Sequence, residues 1–458
     1  MGKDLMNIAR ENITLEERPD RIYYSNNIEI YYIPAGKFKT NTITFFFFEN
    51  LTRNSVSKNA LIPAVLRRGC RDYPEMVRIS MQLEKFYGCS FDCSVAKKGE
   101  YHIIYFHSEF ISDKYVNPEE ELFKNVFELI LKIIVDPVTE NGLFKSEYVE
   151  QEKETVKKII ERRINDKVQY AVERCIEEMC KNEPYGIYEY GDIEGLESIT
   201  LNSLYDQYRN MIENYPLIIY ITGDVQREKL SWATEKINKI FGSIRKNPAT
   251  VESSINNILK NNIKMQKGSK INKTEGNNTG GNVRYINENI GVNQAKLSLG
   301  FRTGISPQEN HYYSFVVFDR ILGGGVYSKL FQNVREQQGL AYYIFSQYEK
   351  FKGLLLVSCG IDADQKEKTI DIILKQIDEM KSGNITDYEL DSALKSIKTD
   401  IHSLRDSQLQ IAEFYLSQIL AGTRDDFGLF NEKTGRVSAA DVINVSKMVQ
   451  LDTVYFLT

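Results

Sequence analysis

The sequence predicts an α+β protein made of two tandem homologous domains, each an antiparallel-rich sheet covered by helices on one face. Three observations lead there. The order strand, two helices, two strands occurs once in each half of the chain, and each occurrence runs on into long amphipathic helices before closing with a helix and one apolar strand. A polar stretch parts the halves: no aromatic residue lies between Phe241 and Tyr285, so this stretch has little to bury. Finally, 458 residues are long for one core and comfortable for two.

In the first half, a strand is expected at 42–48, ending in Phe45-Phe46-Phe47-Phe48. Helices follow near 57–68 and 76–87, then strands near 90–95 and 101–108. Long amphipathic helices over 118–135 and 145–181 come next, and the closing strand is 217–222. The second half repeats this with a strand at 296–301, helices at 311–322 and 328–337, and strands at 341–349 and 353–359. Helices at 365–380 and 387–420 follow, and 453–457 is the closing strand. Gly323-Gly324-Gly325 lacks the Gly-Lys-Ser/Thr ending and the preceding strand of a phosphate cradle, so it reads as a tight turn between helices. The boundaries that result are an N-terminal domain at 1–245, a linker at 246–282 crowded with asparagine, lysine, serine and glycine, and a C-terminal domain at 283–458. Within the linker, 255–265 keeps enough apolar residues to dock loosely or form a short strand.

Composition excludes several classes. A formal net charge of -5, from 58 basic and 63 acidic residues, argues against a nucleic-acid surface, which requires clustered positive charge. No apolar run reaches membrane-spanning length: the four phenylalanines end at Glu49, and Lys132 splits the run 127–135. Residues 1–6 open no signal-peptide pattern, and Met6 stands where a myristoylation motif wants serine or threonine. The six cysteines, Cys70, Cys89, Cys93, Cys175, Cys180 and Cys359, read as reduced structural thiols, so a cytoplasmic setting is expected.

The densest signal is the stretch 328–342. Leu330, Phe331 and Val334 recur at helical spacing, Gly339 supplies a stop, and a strand follows at once. That break sets Arg335 on a helix near Tyr342 on a strand. A guanidinium beside a phenol can grip a peptide carbonyl or carboxylate, the fork donating two parallel hydrogen bonds and the hydroxyl a third. From spacing alone, a solvated Arg335 and a half-core Tyr342 remain an open alternative.

Residues 327–342, preceded by Ile321-Leu322-Gly323-Gly324-Gly325, resemble the second-domain signature of the insulinase/pitrilysin family of zinc peptidases. Asp192-Ile193-Glu194-Gly195-Leu196 with Ile199-Thr200 resembles the family's first-domain helix connection, and 218–225 its closing strand and turn. The ending 451–458 is similar to that of a non-catalytic bacterial branch. The resemblance covers most of the chain and implies a half-clam of two insulinase-like domains, with Arg335 and Tyr342 as substrate-binding residues.

Active members of that family carry His-x-x-Glu-His on a first-domain helix, two imidazoles for zinc and a glutamate for the water. Here the motif is degenerate: Ala60 and Ala64 stand at the histidine positions and Pro63 at the glutamate, in a register anchored by Gly69. Pro63 should either begin the regular part of this helix or kink it. The third-ligand position, on the helix carrying Glu147 to Arg163, falls on Ile159. Glu150, Glu152, Glu154 and Glu161 lie nearby and read as a solvated face paired with Lys153, Lys157 and Arg162. His102, His107, His311 and His402 are scattered, and the odd separation of the first two points them to opposite faces of one strand. No metal and no cofactor are expected.

Some bacterial members work as pairs of different chains, one bearing the zinc motif and the other the arginine and tyrosine. The resemblance therefore implies a catalytically inert subunit, without activity alone, that pairs with a homologous zinc-bearing subunit and orients an extended peptide substrate. No nucleic-acid or membrane partner is expected. The alternative is an adaptor or scaffold associated with elongation factor P modification, without a proteolytic role.

Overall fold

A computed structural model describes residues 17–245, 250–256 and 283–458. The chain divides into two compact units that are not contiguous in sequence. Among the described residues, one comprises 17–161, 189–245, 250–256 and 405–417; the other 162–188, 283–404 and 418–458.

The first unit opens with β1 (Asp20–Ser25), β2 (Ile28–Pro34) and β3 (Thr40–Asn50), followed by helices Val56–Leu66 and Met76–Lys85. Then come β4 (Ser90–Lys98), β5 (Tyr101–Ile111), helix Leu122–Val135, a small hairpin of β6 (Thr139–Glu140) and β7 (Leu143–Phe144), and helix Ser146–Arg162. Helix Leu201–Asn214, β8 (Leu217–Gly223) and helix Arg227–Ile244 complete it. The sheet order is β1-β2-β8-β3-β5-β4, antiparallel except for the β2/β8 pair.

Alternation on β3 explains the layers. Ile43, Phe45 and Phe47 face the main core with Phe106, Phe123 and Phe127, and the Phe45 and Phe127 rings lie 5.8 Å apart. Emptying one such fully buried ring position costs about 3–5 kcal/mol. Thr42, Thr44, Phe46 and Phe48 are also buried, on the opposite face. Residues 405–417 run along this unit: Gln408 Nε2 donates to the Thr40 carbonyl at 2.7 Å, and Lys98 lies 3.4 Å from Glu413.

The second unit contains β9 (Arg284–Glu288), β10 (Ala295–Arg302), helix Tyr312–Gly323, a π-helix Phe331–Gln337, β11 (Ala341–Glu349) and β12 (Leu354–Ile361). Helices Lys366–Lys381, Asp387–Leu404, Phe427–Gly435 and Ala439–Ser446 follow, then β13 (Gln450–Leu457). Its sheet runs β11-β12-β10-β13-β9, antiparallel except for β13/β9. Setting β1 aside, this is the order of the first sheet, down to the one parallel pair between the first and last strands. Helix Lys167–Met179 buries Ala171, Val172, Cys175 and Met179 against Leu354, Leu356 and Tyr455 of this sheet.

The α+β architecture with two like sheets is as expected, and several boundaries differ. The helix expected at 145–181 is two, because Asp166 Oδ1 accepts from the amides of Val168 and Gln169 and starts a new helix. The helix expected at 387–420 likewise breaks at 405–407. Of the stretch 246–282, only 250–256 is described, with Val251 and Ile255 buried; the remaining linker residues and Met1-Gly2 lie outside the described residues. No helix among the described residues is long and apolar enough to cross a membrane.

Candidate functional site

Pro63 does not begin its helix but stands inside it. Val56–Leu66 is continuous through it, with Asn59 N bonded to Ser55 O and Arg67 N to Pro63 O at 3.0 Å. The proline carbonyl also accepts from the Cys93 thiol at 3.3 Å, tying the helix to edge strand β4. Gly69 is needed here: a β-carbon would meet the Tyr73 and Pro74 carbonyl oxygens at 2.6 and 2.7 Å.

Ala60, Pro63 and Ala64 line one cleft of about 370 Å³, and Ile159 lies on its wall from the helix Ser146–Arg162. Three aliphatic side chains and a pyrrolidine ring carry no ligand atom, so these side chains do not fit zinc. Among the described residues, no group of three His, Cys, Asp or Glu side chains stands close enough to hold a metal ion. His102 and His107 stand on opposite faces of β5: His102 meets Asn59, whereas His107 Nδ1 lies 2.8 Å from Thr44 Oγ1.

Glu152 departs from the expected solvated face. It is buried in the cleft wall and paired with Arg68 at 3.2 Å; burial raises its carboxyl pKa, and Arg68 and Arg67 pull it back. Glu150 pairs with Lys153 as expected, while Lys157 reaches Glu197 at 3.0 Å. Sequence reasoning missed Arg67, Arg68 and Ser94 as further cleft residues. The pair Arg67-Arg68, just after Ala60, Pro63 and Ala64, was the available signal.

Behind the cleft lies a buried polar network. Asn59 Nδ2 donates to Glu49 Oε1 at 2.5 Å and sits 3.3 Å from His102 Nδ1, while Asn59 Oδ1 accepts from Gln207 at 2.9 Å and from the Tyr215 hydroxyl at 3.3 Å. His102 Nε2 lies 2.9 Å from the Glu189 carbonyl oxygen, which fixes the proton on Nε2 and leaves Nδ1 as acceptor. Burial pushes the His102 pKa down to about 4.

In the second unit, the helix carrying Arg335 is wound as a π-helix, not with the expected α spacing. Lys329, buried, pairs with Glu389 at 2.8 Å, and Asn333 Nδ2 donates to Gln376 at 2.5 Å, fixing this segment to two neighbouring helices. Gly339, at φ +62°, turns the chain into β11. Arg335 lies over the Phe331 ring at 4.7 Å with a side chain 42% exposed, and Glu336 is 3.7 Å away. Tyr342 is 60% exposed on edge strand β11, where the register shifts between Ala341 and Tyr343. Its hydroxyl donates to Asp362 Oδ1 at 3.1 Å, a bond that raises the phenol pKa. Gly323 ends the first of the two helices and Gly324 and Gly325 start the turn between them; Gly323 is needed because a β-carbon would meet the Ser346 amide at 2.3 Å.

Comparison with known proteins agrees with this picture. The profile of the Peptidase M16 inactive domain matches residues 198–397. The chain is 33% identical over 427 residues to the probable inactive metalloprotease YmfF of Bacillus subtilis, covering 93% of this chain and 94% of that one. It is 30% identical over 132 residues to the uncharacterized zinc protease YmxG of the same organism, a match to 28% of this chain and 32% of that one. Its fold is similar to that of a conserved protein from Enterococcus faecalis, with a TM-score of 0.82 and 24% identity across 96% of this chain and 98% of that one. It is also similar to a peptidase M16 inactive domain from Pseudomonas fluorescens, with a TM-score of 0.75 and 16% identity across 96% and 97%.

Proposed function

Because the chain belongs to the M16 (insulinase) family of peptidases, as an inactive metallopeptidase homologue, we propose that it is the substrate-binding subunit of a heterodimeric zinc metallopeptidase whose partner carries His-x-x-Glu-His. One observation carries the reading: the zinc-motif cleft is walled by Ala60, Pro63, Ala64 and Ile159, while Arg335 and Tyr342 stay exposed and polar in the same chain.

The two side chains complement successive groups of an extended backbone. Arg335 would donate two hydrogen bonds to a peptide carbonyl. Tyr342 has its one proton on Asp362, so its oxygen is left to accept from a peptide amide hydrogen. β4 and β11 are edge strands of their sheets, the position at which a peptide can add in extended form. The partner's zinc would polarise the scissile carbonyl and activate water; this chain contributes by orienting the peptide, which lowers the entropic part of the barrier. A cytoplasmic setting is part of the proposal and fits six unpaired, buried thiols. The test is reconstitution with a zinc-bearing homologue, with and without Arg335.

A further inference from the structure

We infer that the degenerate zinc cleft is a carboxylate-selective peptide subsite, with Arg67 as its anion-binding residue; this rests on the peptide-binding reading above. With its ligand positions replaced, the cleft has apolar walls at Ala60, Ala64 and Ile159 and keeps edge strand β4 at its side through Cys93 and Ser94. Its charged groups are Arg67, Arg68 and Glu152. Arg68 is already committed: it pairs with Glu152, donates to Gln151 and lies 4.9 Å over the Tyr148 ring. Arg67 differs. It lines the cleft, it is exposed, and among the described residues no carboxylate lies within 4.0 Å of its guanidinium. Its charge still reaches the interior, since it stabilises both the Cys93 thiolate and the Glu152 carboxylate against burial. Two cations against one anion, with one cation unpaired at the mouth of an apolar pocket, suit a peptide carrying a carboxylate. That group is either an Asp or Glu side chain or the chain terminus, and the guanidinium fork accepts either in bidentate fashion.

The experiment is fluorescence anisotropy on the full chain with three dye-labelled apolar peptides: a blocked peptide with one central Glu, its Gln twin, and the Gln peptide with a free C-terminal carboxylate. The Glu or the free-carboxylate peptide should bind about fivefold tighter than the blocked Gln peptide at low salt, a modest ratio because Arg67 is exposed. The gap should close at high salt. Whichever acidic peptide shows the gain identifies the source of the carboxylate. Arg67→Gln should bring the ratio to about one, while Arg67→Lys should keep part of it. Equal affinities of all three peptides, or a preference lost in Arg335→Ala but kept in Arg67→Gln, would overturn this inference and leave peptide binding standing. No binding of any peptide would overturn the peptide-binding reading and this subsite with it.

Discussion

The Tyr342 hydroxyl is bonded to Asp362 across adjacent strand ends, 3.1 Å from Oδ1, so the phenol is oriented before any peptide arrives. If that orientation matters, the two residues act as a unit. Tyr342→Phe in the reconstituted pair should lower turnover about fivefold, the worth of one neutral hydrogen bond. Asp362→Ala should lower it less, and the double variant should match Tyr342→Phe alone. Losses that simply add would show Asp362 acting independently of the phenol.

The zinc-motif register can be tested by rebuilding the site. Ala60→His, Pro63→Glu and Ala64→His together should bind zinc weakly, because Ile159 supplies no third ligand. Adding Ile159→Glu should bring near-equimolar zinc that survives gel filtration. Tight stoichiometric zinc in the triple variant would place the third ligand elsewhere, Glu152 being the nearest candidate.

Buried His102 sets a pH window for stability. Its pKa is near 6.5 in the unfolded chain and about 4 when folded, so the unfolded state binds the proton first as pH falls. Stability from this group is therefore complete above about pH 6.5 and is lost as pH falls toward 4, a change of about 3 kcal/mol. Urea midpoints of His102→Gln should fall less steeply with acidification than those of the parent chain. Parallel pH profiles would show that His102 binds its proton as readily in the folded chain as in the unfolded one.

The noncontiguous units make a proteolysis prediction. We propose that the chain is cleavable within 246–282, between domains at 1–245 and 283–458. Because 162–188 belongs to the second unit and 405–417 to the first, the nicked fragments should still co-elute in native gel filtration and separate only in denaturant. First cleavage inside 145–181 would contradict the boundary.

The duplicated order of strands and helices was legible because alternation and helical periodicity agree in both halves. What was lost has particular causes. The β1–β2 hairpin was overlooked although Tyr23, Tyr24, Asn26 and Asn27 spell it out, the two asparagines adopting φ values of 50° and 62° in the turn. Helix breaks at Asp166 and at 405–407 were hidden by apolar spacing that continues across them, a pattern set by burial and blind to capping. The π winding around Arg335 coincides with Lys329 and Asn333 reaching other helices, contacts to residues far away in sequence. Of the site, Ala60, Pro63 and Ala64 were singled out through the family motif and line one cleft, whereas Glu152 looked like any other glutamate on a charged helix.

The most direct test of the proposed role is peptide turnover by this chain mixed with a zinc-bearing homologue from the same genome. Each chain alone should be inactive, and the mixture should cleave an extended peptide. Arg335→Ala should cut the rate about tenfold or more while assembly and the partner's zinc content stay intact, since a charge-assisted hydrogen bond contributes roughly 1.5–3 kcal/mol. Full activity of the zinc-bearing homologue alone, or an unchanged rate with Arg335→Ala and Tyr342→Phe, would contradict the substrate-binding role and favour the scaffold.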